Sequence, residues 1–294
     1  FVEQSGYVSD PSLAVLNLQL AAEMTGNAKF LFGNAVTKIL RDTNNERVEG
    51  LELANGTTVL APVVVNVGGP HSSQITDMAF SGEASRLNDM TLTTKALRQE
   101  VAYVNAPDGM HGAESAREFE EGRVTLPMMA DTDIGIYFRP EVGGKILMGT
   151  TEPNCDHPLE FVDDPDLVNP SLTDNHTNYM WRLALRLPEV QLPGATDSQG
   201  IVACYDVTED WVPIYDKSKL GGYYMAIGTS GNQFKNAPIA GHCMAELIEA
   251  CEKGQNHDED PVQVKTVYTG LTLNMGFYSR NREINPNSSF SVNG

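Results

Sequence analysis

The hydrophobic pattern changes period several times along the chain, and each change marks an element. After Ser9-Asp10-Pro11, a capping residue followed by proline at the first helical position, Leu13, Leu16, Leu20 and Met24 recur at helical spacing and Gly26 closes the run, which predicts a helix. Residues 29–40 read as a strand pair or one bent strand. Residues 48–53 and 57–60 alternate on either side of Asn55-Gly56, the pattern of a hairpin. Residues 61–67 are continuously apolar and rich in valine, which predicts a strand buried on both faces, as in a parallel sheet; the run ends in Gly68-Gly69-Pro70-His71-Ser72. Residues 82–88 look like part of a short helix.

From about Thr91 the pattern becomes extended. Residues 94–104 form a strand with Arg98, Gln99 and Glu100 in its middle, and residues 114–122 are a charged loop. Residues 133–140 and 145–150 flank Glu141-Val142-Gly143-Gly144 as a second hairpin. An acidic surface loop over 155–169 leads to a helix over 173–187, anchored by Trp181, Leu183 and Leu187. Residues 200–208 are extended again and carry Tyr205. The expected fold class is therefore α/β over 1–88 and 210–254, with a mixed, mainly antiparallel β layer and a helix interleaved over 89–209 and a weakly periodic C-terminal tail over 255–294. A ligand would sit between the two layers.

Candidate chemistry concentrates after the apolar strand 221–227. There Gly228-Thr229-Ser230-Gly231-Asn232-Gln233-Phe234-Lys235 opens a helix in which Asn236 can cap, Pro238 lies in the first turn, and Ile239, Met244, Leu247, Ile248 and Cys251 share a face. Such a turn aims unpaired N–H groups and the positive end of a helix dipole at one spot, which suits an electron-rich ligand atom. Gly228 and Gly231 allow close approach, and Lys235 adds a charge. An ordinary strand-to-helix loop would have the same glycines.

Composition narrows this. The 294 residues are 41% hydrophobic, enough for a substantial core. The net charge of −19 would repel a phosphate backbone, so no nucleic-acid partner is expected and the acidity reads as serving solubility. The four cysteines and six histidines show no C-x-x-C, H-x-x-H or H-E-x-x-H, so no metal site is expected. No apolar run reaches the ~20 residues of a membrane span, and a reducing cytoplasm is the default location.

Taken together, these segments resemble the FAD-dependent amine and amino-acid oxidoreductases, the family that includes D-amino acid oxidase, glycine oxidase, sarcosine oxidase and dimethylglycine dehydrogenase. The resemblance rests on the order and spacing of Gly6-Tyr7-Val8-Ser9-Asp10-Pro11, Asn34-Ala35-Val36-Thr37-Lys38-Ile39, Val63-Val64-Val65-Asn66-Val67-Gly68-Gly69, Tyr137-Phe138-Arg139-Pro140-Glu141 with Leu147-Met148-Gly149, the Tyr205-x-x-Thr208-x-Asp210 pattern, and the turn 228–235. It implies an FAD-binding domain over 1–88 and 210–254 and a substrate domain over 89–209. It implies hydride transfer to non-covalent FAD from a carbon beside the nitrogen of a small amine or amino acid. Val36, Gly68, Gly69, Gly228, Ser230, Gly231, Asn232, Gln233 and Phe234 would contact the cofactor, the amides of 231–233 at the flavin's pyrimidine end. Lys235 and Tyr205 would meet the substrate. Arg139, on a strand with aromatic neighbours, is a further candidate for a substrate carboxylate.

Three departures shape the expectation. No G-x-G-x-x-G occurs, so the Rossmann-like domain reads as lacking its first βαβ unit, upstream of Phe1. The cysteine that tethers flavin in sarcosine oxidase falls at Ala203; Cys204 is one residue off and on the other strand face. That enzyme's oxygen-activating lysine falls near Leu147, which favours a dehydrogenase with another, unknown electron acceptor. The alternative is a non-catalytic subunit or remnant using the same fold for interaction.

Overall fold

The alternation around Asn55-Gly56 folds as a hairpin: β2 (Val48–Leu53) pairs antiparallel with β3 (Thr58–Leu60), with Gly56 at φ +80° in the turn. The strand before it, β1 (Val36–Arg41), completes a three-stranded sheet in the order β1-β2-β3. Residues 29–35 are not a strand; Gly33 sits at φ +71° among them and breaks the extended run. The computed structural model describes residues 10–80, 89–108, 110, 128–194 and 199–293. The readings of a helix over 82–88 and a loop over 114–122, and all but the last two residues of the segment 6–11, lie outside them.

The described residues fall into two compact units. One gathers those of Phe1–Phe32, Gln99–Pro158 and Asn169–Ala203, the other those of Gly33–Arg98, Leu159–Val168 and Cys204–Gly294. The remaining strands are β4 (Val64–Asn66), β5 (Lys95–Asn105), β6 (Met129–Asp131), β7 (Ile136–Glu141), β8 (Lys145–Thr150), β9 (Phe161–Val162), β10 (Gln199–Val207), β11 (Ile214–Lys217), β12 (Tyr223–Ile227), β13 (Gln263–Lys265) and β14 (Thr272–Asn274). The helices are α1 (Pro11–Met24), α2 (Ser72–Phe80), α3 (Asp174–Ala184) and α4 (Ala237–Glu252).

In the first unit the strands follow the order β10-β5-β8-β7-β6. The β7–β8 hairpin turns at Gly143 and Gly144, both at positive φ, and faces Phe138 with Met148. Ala102, Ile136, Phe138, Ile146 and Met148 pack with Tyr179, Met180 and Leu183 of α3. Leu183 is the anchor its spacing predicts, whereas Trp181 points to solvent at 63% exposure because Tyr179 and Met180 occupy the buried face. Glu100, itself buried, accepts from Thr173 N at 3.0 Å and Thr173 Oγ1 at 2.6 Å and so seats the start of α3. α1 has its cap, with Asp10 Oδ1 accepting from Leu13 N at 2.8 Å, but none of its residues is buried. Leu13, Leu16 and Leu20 share a face, yet they are 45–52% exposed and no described element buries them.

The second unit holds the three-stranded sheet β11-β12-β4, in which β4 runs parallel to β12. The parallel pairing is as predicted; burial on both faces is not. β4 has a strand partner on one edge only among the described residues, and Val67 beyond it is 69% exposed. α4 packs Cys243, Met244 and Leu247 onto Tyr215 and Tyr224 of this sheet. Asn236 precedes the helix but makes no side-chain cap; its Nδ2 donates instead to Gln233 Oε1 at 2.9 Å.

The weakly periodic stretch 255–294 carries β13, β14 and the most buried cation of the unit. Arg280 is fully enclosed, with Nε 2.9 Å from Asp89, and Nη1 3.0 Å from Asp216 and 2.8 Å from Asp258. Removing one partner of such a buried network costs about 3–5 kcal/mol, because the others keep their charge without compensation. Arg280→Met is expected to lower the unfolding free energy by about that amount in urea titrations. His257 lies against the same group, buried, with Nδ1 accepting from Val262 N at 3.0 Å and Nε2 3.4 Å from Asp216. Burial holds its pKa below the ordinary value against the pull of Asp216 and Asp258, and the Nδ1 bond needs the neutral ring. The unfolded chain takes up that proton near pH 6.5 and the folded one only lower. Stability is therefore present above about pH 6.5 and falls as pH drops from there toward the folded pKa; His257→Gln is expected to flatten this slope in denaturation measured at stepped pH.

Candidate functional site

Two glycine turns leave neighbouring strands at the same end. β4 and β12 are parallel with Asn66 opposite Met225, so Gly68-Gly69 and Gly228 follow at adjacent carboxyl ends, the place where open α/β sheets hold ligands. Asn66 fixes the first turn: its Oδ1 accepts from Gly68 N at 2.9 Å, and its Nδ2 donates to Ser72 O at 2.9 Å and Thr76 Oγ1 at 3.0 Å. A Cβ at Gly68 would lie 2.3 Å from Ile75 Cδ1, so a side chain there would have to displace the end of Ile75; Gly69 takes φ +54° beside it with open space around it.

The second turn alternates. Gly228, Ser230 and Asn232 face inward: Gly228 N donates to Asp206 Oδ2 at 2.7 Å, Ser230 N to Asp206 O at 2.9 Å, and Asn232 N to Thr229 O at 3.1 Å. Thr229, Gly231 and Gln233 instead line a cleft of about 540 Å³, together with Val65, Val67, Ala226, Tyr215 and Met244. Their own amides are not among the turn's hydrogen bonds to described residues. Three residues of the turn, Gly228 (φ +70°), Ser230 (φ +50°) and Gly231 (φ +73°), occupy the left-handed region. Ser230 does so with a Cβ and while fully buried, a strain of the kind found at ligand clamps.

Tyr205 closes the turn from β10. A Cβ added to Gly231 would fall 2.5 Å from Tyr205 Cε2, so ring and glycine backbone are in direct contact. Tyr215 donates to Gln233 Oε1 at 3.3 Å, and its pKa is raised by burial and by the neighbouring Tyr278 and Asp206. Asn232 is 7% exposed and its Nδ2 has no partner among the described residues, an orphaned donor at the turn. Lys235 is exposed, and its ammonium donates to Asn232 O at 2.7 Å.

The structure thus brings Gly228, Ser230, Gly231, Asn232, Gln233, Phe234, Tyr205 and Lys235 to one turn and sets Gly68 and Gly69 at the adjacent strand end. Phe234 is 46% exposed at the rim of the cleft. Val36 heads β1 opposite Leu53 and packs against the core that holds Tyr223. Of the amides at 231–233, that of Asn232 is spent within the turn, because Thr229 O lies within its reach. Arg139 belongs to the first unit, where it pairs with Glu141 at 2.8 Å and donates to Pro140 O at 3.1 Å. Arg98 is buried beside Glu160, and His71 lies 3.1 Å from Asp166. His71, Asp164 and Asp166 also bring ligand atoms within 4.8 Å of one another, a grouping without a metal-ligand spacing in sequence. Sequence reasoning missed Asp206, which reads there as one polar residue on a strand.

The family model for FAD dependent oxidoreductases matches residues 1–247, and the chain belongs to that family. Solved structures with a similar fold include L-proline dehydrogenase from P. horikoshii (TM-score 0.62, 17% identity, 91% of this chain and 58% of that one). Glycine oxidase from Geobacillus kaustophilus (0.58, 17%, 90% and 56%) and fructosyl peptide oxidase from E. terrenum (0.57, 19%, 81% and 53%) are also similar. The chain spans between 53% and 58% of the length of these three. No curated protein matches it. Among the described residues no helix is long and apolar enough to cross a membrane.

FAD is the cofactor of the family, and the turn fits it: unspent amides, an orphaned amide side chain and a glycine on which a Cβ would strike Tyr205. Gly231→Ala should therefore be damaging. The residue is at φ +73°, which costs an L side chain about 1–2 kcal/mol, and the new methyl must displace the Tyr205 ring. In the full-length protein, FAD affinity followed by flavin fluorescence titration is expected to fall at least about tenfold, equivalent to ~1.4 kcal/mol, with far-ultraviolet dichroism unchanged.

Proposed function

We propose that this chain is part of an FAD-dependent oxidoreductase that oxidises the C–N bond of a secondary amine or α-amino acid. The observation that carries the reading is the turn 228–235, whose residues Thr229, Gly231 and Gln233 line a mostly apolar cleft while their neighbours are tied inward. FAD, when bound, accepts a hydride from the carbon next to the amine nitrogen, and water then splits the resulting imine to a carbonyl compound and the free amine. The protein's share is position and field. Amides of Thr229, Gly231 and Gln233 meet the electron-rich end of the ring, where each preorganised donor is worth about 3 kcal/mol by analogy with oxyanion holes. Tyr205 fixes the height of the turn and offers an aromatic wall. Lys235 swings from Asn232 O to a substrate carboxylate.

Two finer points belong to the same proposal. FAD is held without a covalent bond: Ala203 cannot form one, and Cys204 alternates to the other face of β10, where burial raises its thiol pKa and keeps it protonated. Electrons pass to an acceptor other than oxygen: the oxygen-activating lysine of sarcosine oxidase falls near Leu147, which carries no charge. The free edge of β4 takes a further parallel strand from an upstream βαβ unit of the Rossmann-like domain, which supplies the pyrophosphate site.

The decisive experiment mixes the full-length, FAD-loaded protein anaerobically with sarcosine, L-proline, glycine and D-alanine. Bleaching of the visible flavin band by at least one amine is expected, with little peroxide formed when air is admitted. Lys235→Met should raise KM for amino acids about tenfold, with a smaller change in kcat. A full-length protein that holds FAD yet is bleached by no amine would favour the non-catalytic reading.

A further inference from the structure

The second unit buries four aspartates, and three of them have an arginine. Asp89 and Asp216 meet Arg280, and Asp210 meets Arg282 at 2.7 Å. Asp206 is as buried, 2% exposed, yet among the described residues its side chain is held by the glycine turn alone: Gly228 N donates to Oδ2 at 2.7 Å and Thr229 Oγ1 to Oδ1 at 2.5 Å. Its main-chain carbonyl takes Ser230 N as well. One residue of β10 therefore receives three consecutive residues of a turn that follows β12. A carboxylate buried without a cation is costly, and among the described residues the compensation comes from groups of that turn. Carboxylate and turn hold one another in place.

The same bonds explain the alternation. With the amides of Gly228 and Ser230 turned onto Asp206, those of Thr229 and Gly231 are left out of these bonds, and both residues line the cleft although the Thr229 hydroxyl itself bonds the carboxylate. Left-handed backbone at 228, 230 and 231 would relax without such a tie, since a glycine turn gains much entropy on release. Tyr205, the preceding residue, bears on Gly231 from the same strand. Residues 205 and 206 thus act as a bracket, the ring against one end of the turn and the carboxylate against the other.

We propose that Asp206 is a positioning residue for the cofactor: by tethering Gly228 and Thr229 it presents the amides of Thr229, Gly231 and Gln233 to the flavin. This rests on the FAD-dependent reading above. It also separates shape from charge. In Asp206→Asn, Oδ1 can still accept from Gly228 N, and Nδ2 can donate to Thr229 Oγ1 once that hydroxyl rotates to accept. In Asp206→Ala both bonds are gone.

Amide hydrogen exchange and FAD titration of the full-length protein test this. In the FAD-free wild type, the amides of Gly228, Ser230 and Asn232 should exchange slowly and those of Thr229, Gly231 and Gln233 fast; adding FAD should slow the second set. Asp206→Ala should speed exchange at Gly228 at least tenfold and weaken FAD binding at least tenfold, and Asp206→Asn should restore most of both. A purely fold-supporting aspartate would lower the melting temperature of the alanine variant without touching this alternating pattern. Uniform exchange along 228–233 in the wild type overturns the proposal, as does an alanine variant that binds FAD like wild type or an asparagine variant as impaired as alanine. If the wild type shows the alternating pattern but takes up no FAD, the cofactor reading fails while the tether stands on its exchange evidence.

Discussion

The parallel pairing of β4 with β12 is the constraint on which the site depends. It sets Asn66 level with Met225, and from that register the chain must leave the sheet twice at the same end, once through Gly68-Gly69 and once through Gly228. Parallel neighbours cannot be joined by a tight hairpin, so long stretches of chain separate them. What lies between the two turns in sequence includes β5 to β10, the strands that carry Arg139, Leu147 and Tyr205. A single pairing thus brings together two glycine turns that are about 160 residues apart in the sequence.

Much of this was legible where local chemistry decides structure. Asn55-Gly56 and Gly143-Gly144 announce their hairpins because the turns require positive φ and the flanks alternate with period two. α4 was readable from one apolar face and a proline in its first turn. Legibility failed where tertiary partners decide. Leucine spacing predicts α1 but not that it lies uncovered, and Trp181 reads as an anchor although its neighbours Tyr179 and Met180 take the buried side. The helix Ser72–Phe80 is short and opens with three polar residues, Ser72, Ser73 and Gln74, so its start at the glycine pair is not legible from an apolar run. Residues 255–294 show little periodicity because their anchors are scattered: Val262, Val264 and Met275 enter the core beside α4, and Arg280 reaches Asp89 and Asp216.

The candidate site divides in the same way. Glycines at 228 and 231 mark a close approach in any reading, and the contact between Gly231 and Tyr205 gives that mark a physical cause. Which amides remain for a ligand is not a property of the turn's own sequence. It follows from Asp206, a residue 22 positions earlier whose carboxylate takes Gly228 N. The same holds for charge. Lys235 and Arg139 read as free cations in sequence, but in the fold one rests on a carbonyl and the other on Glu141.

Those pairings bear on how a chain of net charge −19 can offer an electron-accepting ring a favourable place. At the ionic strength of a cell, exposed charges are screened within about 8 Å, so the acidic surface matters little inside a cleft. Nearby buried carboxylates would matter far more, and most of them are neutralised where they stand, by Arg280 and Arg282. Asp206 is the exception, and its charge is drawn on by a main-chain N–H and a hydroxyl on the inner side of the turn. The outer side is left with amides and the start of α4, groups whose partial positive charge is small but fixed in direction. A donor fixed before the ligand arrives costs no reorganisation when negative charge grows on it, whereas a mobile lysine must first leave its carbonyl. On the proposed function, the backbone of the turn, held from behind, would contribute the constant part of the field, and Lys235 the part that depends on what enters the cleft.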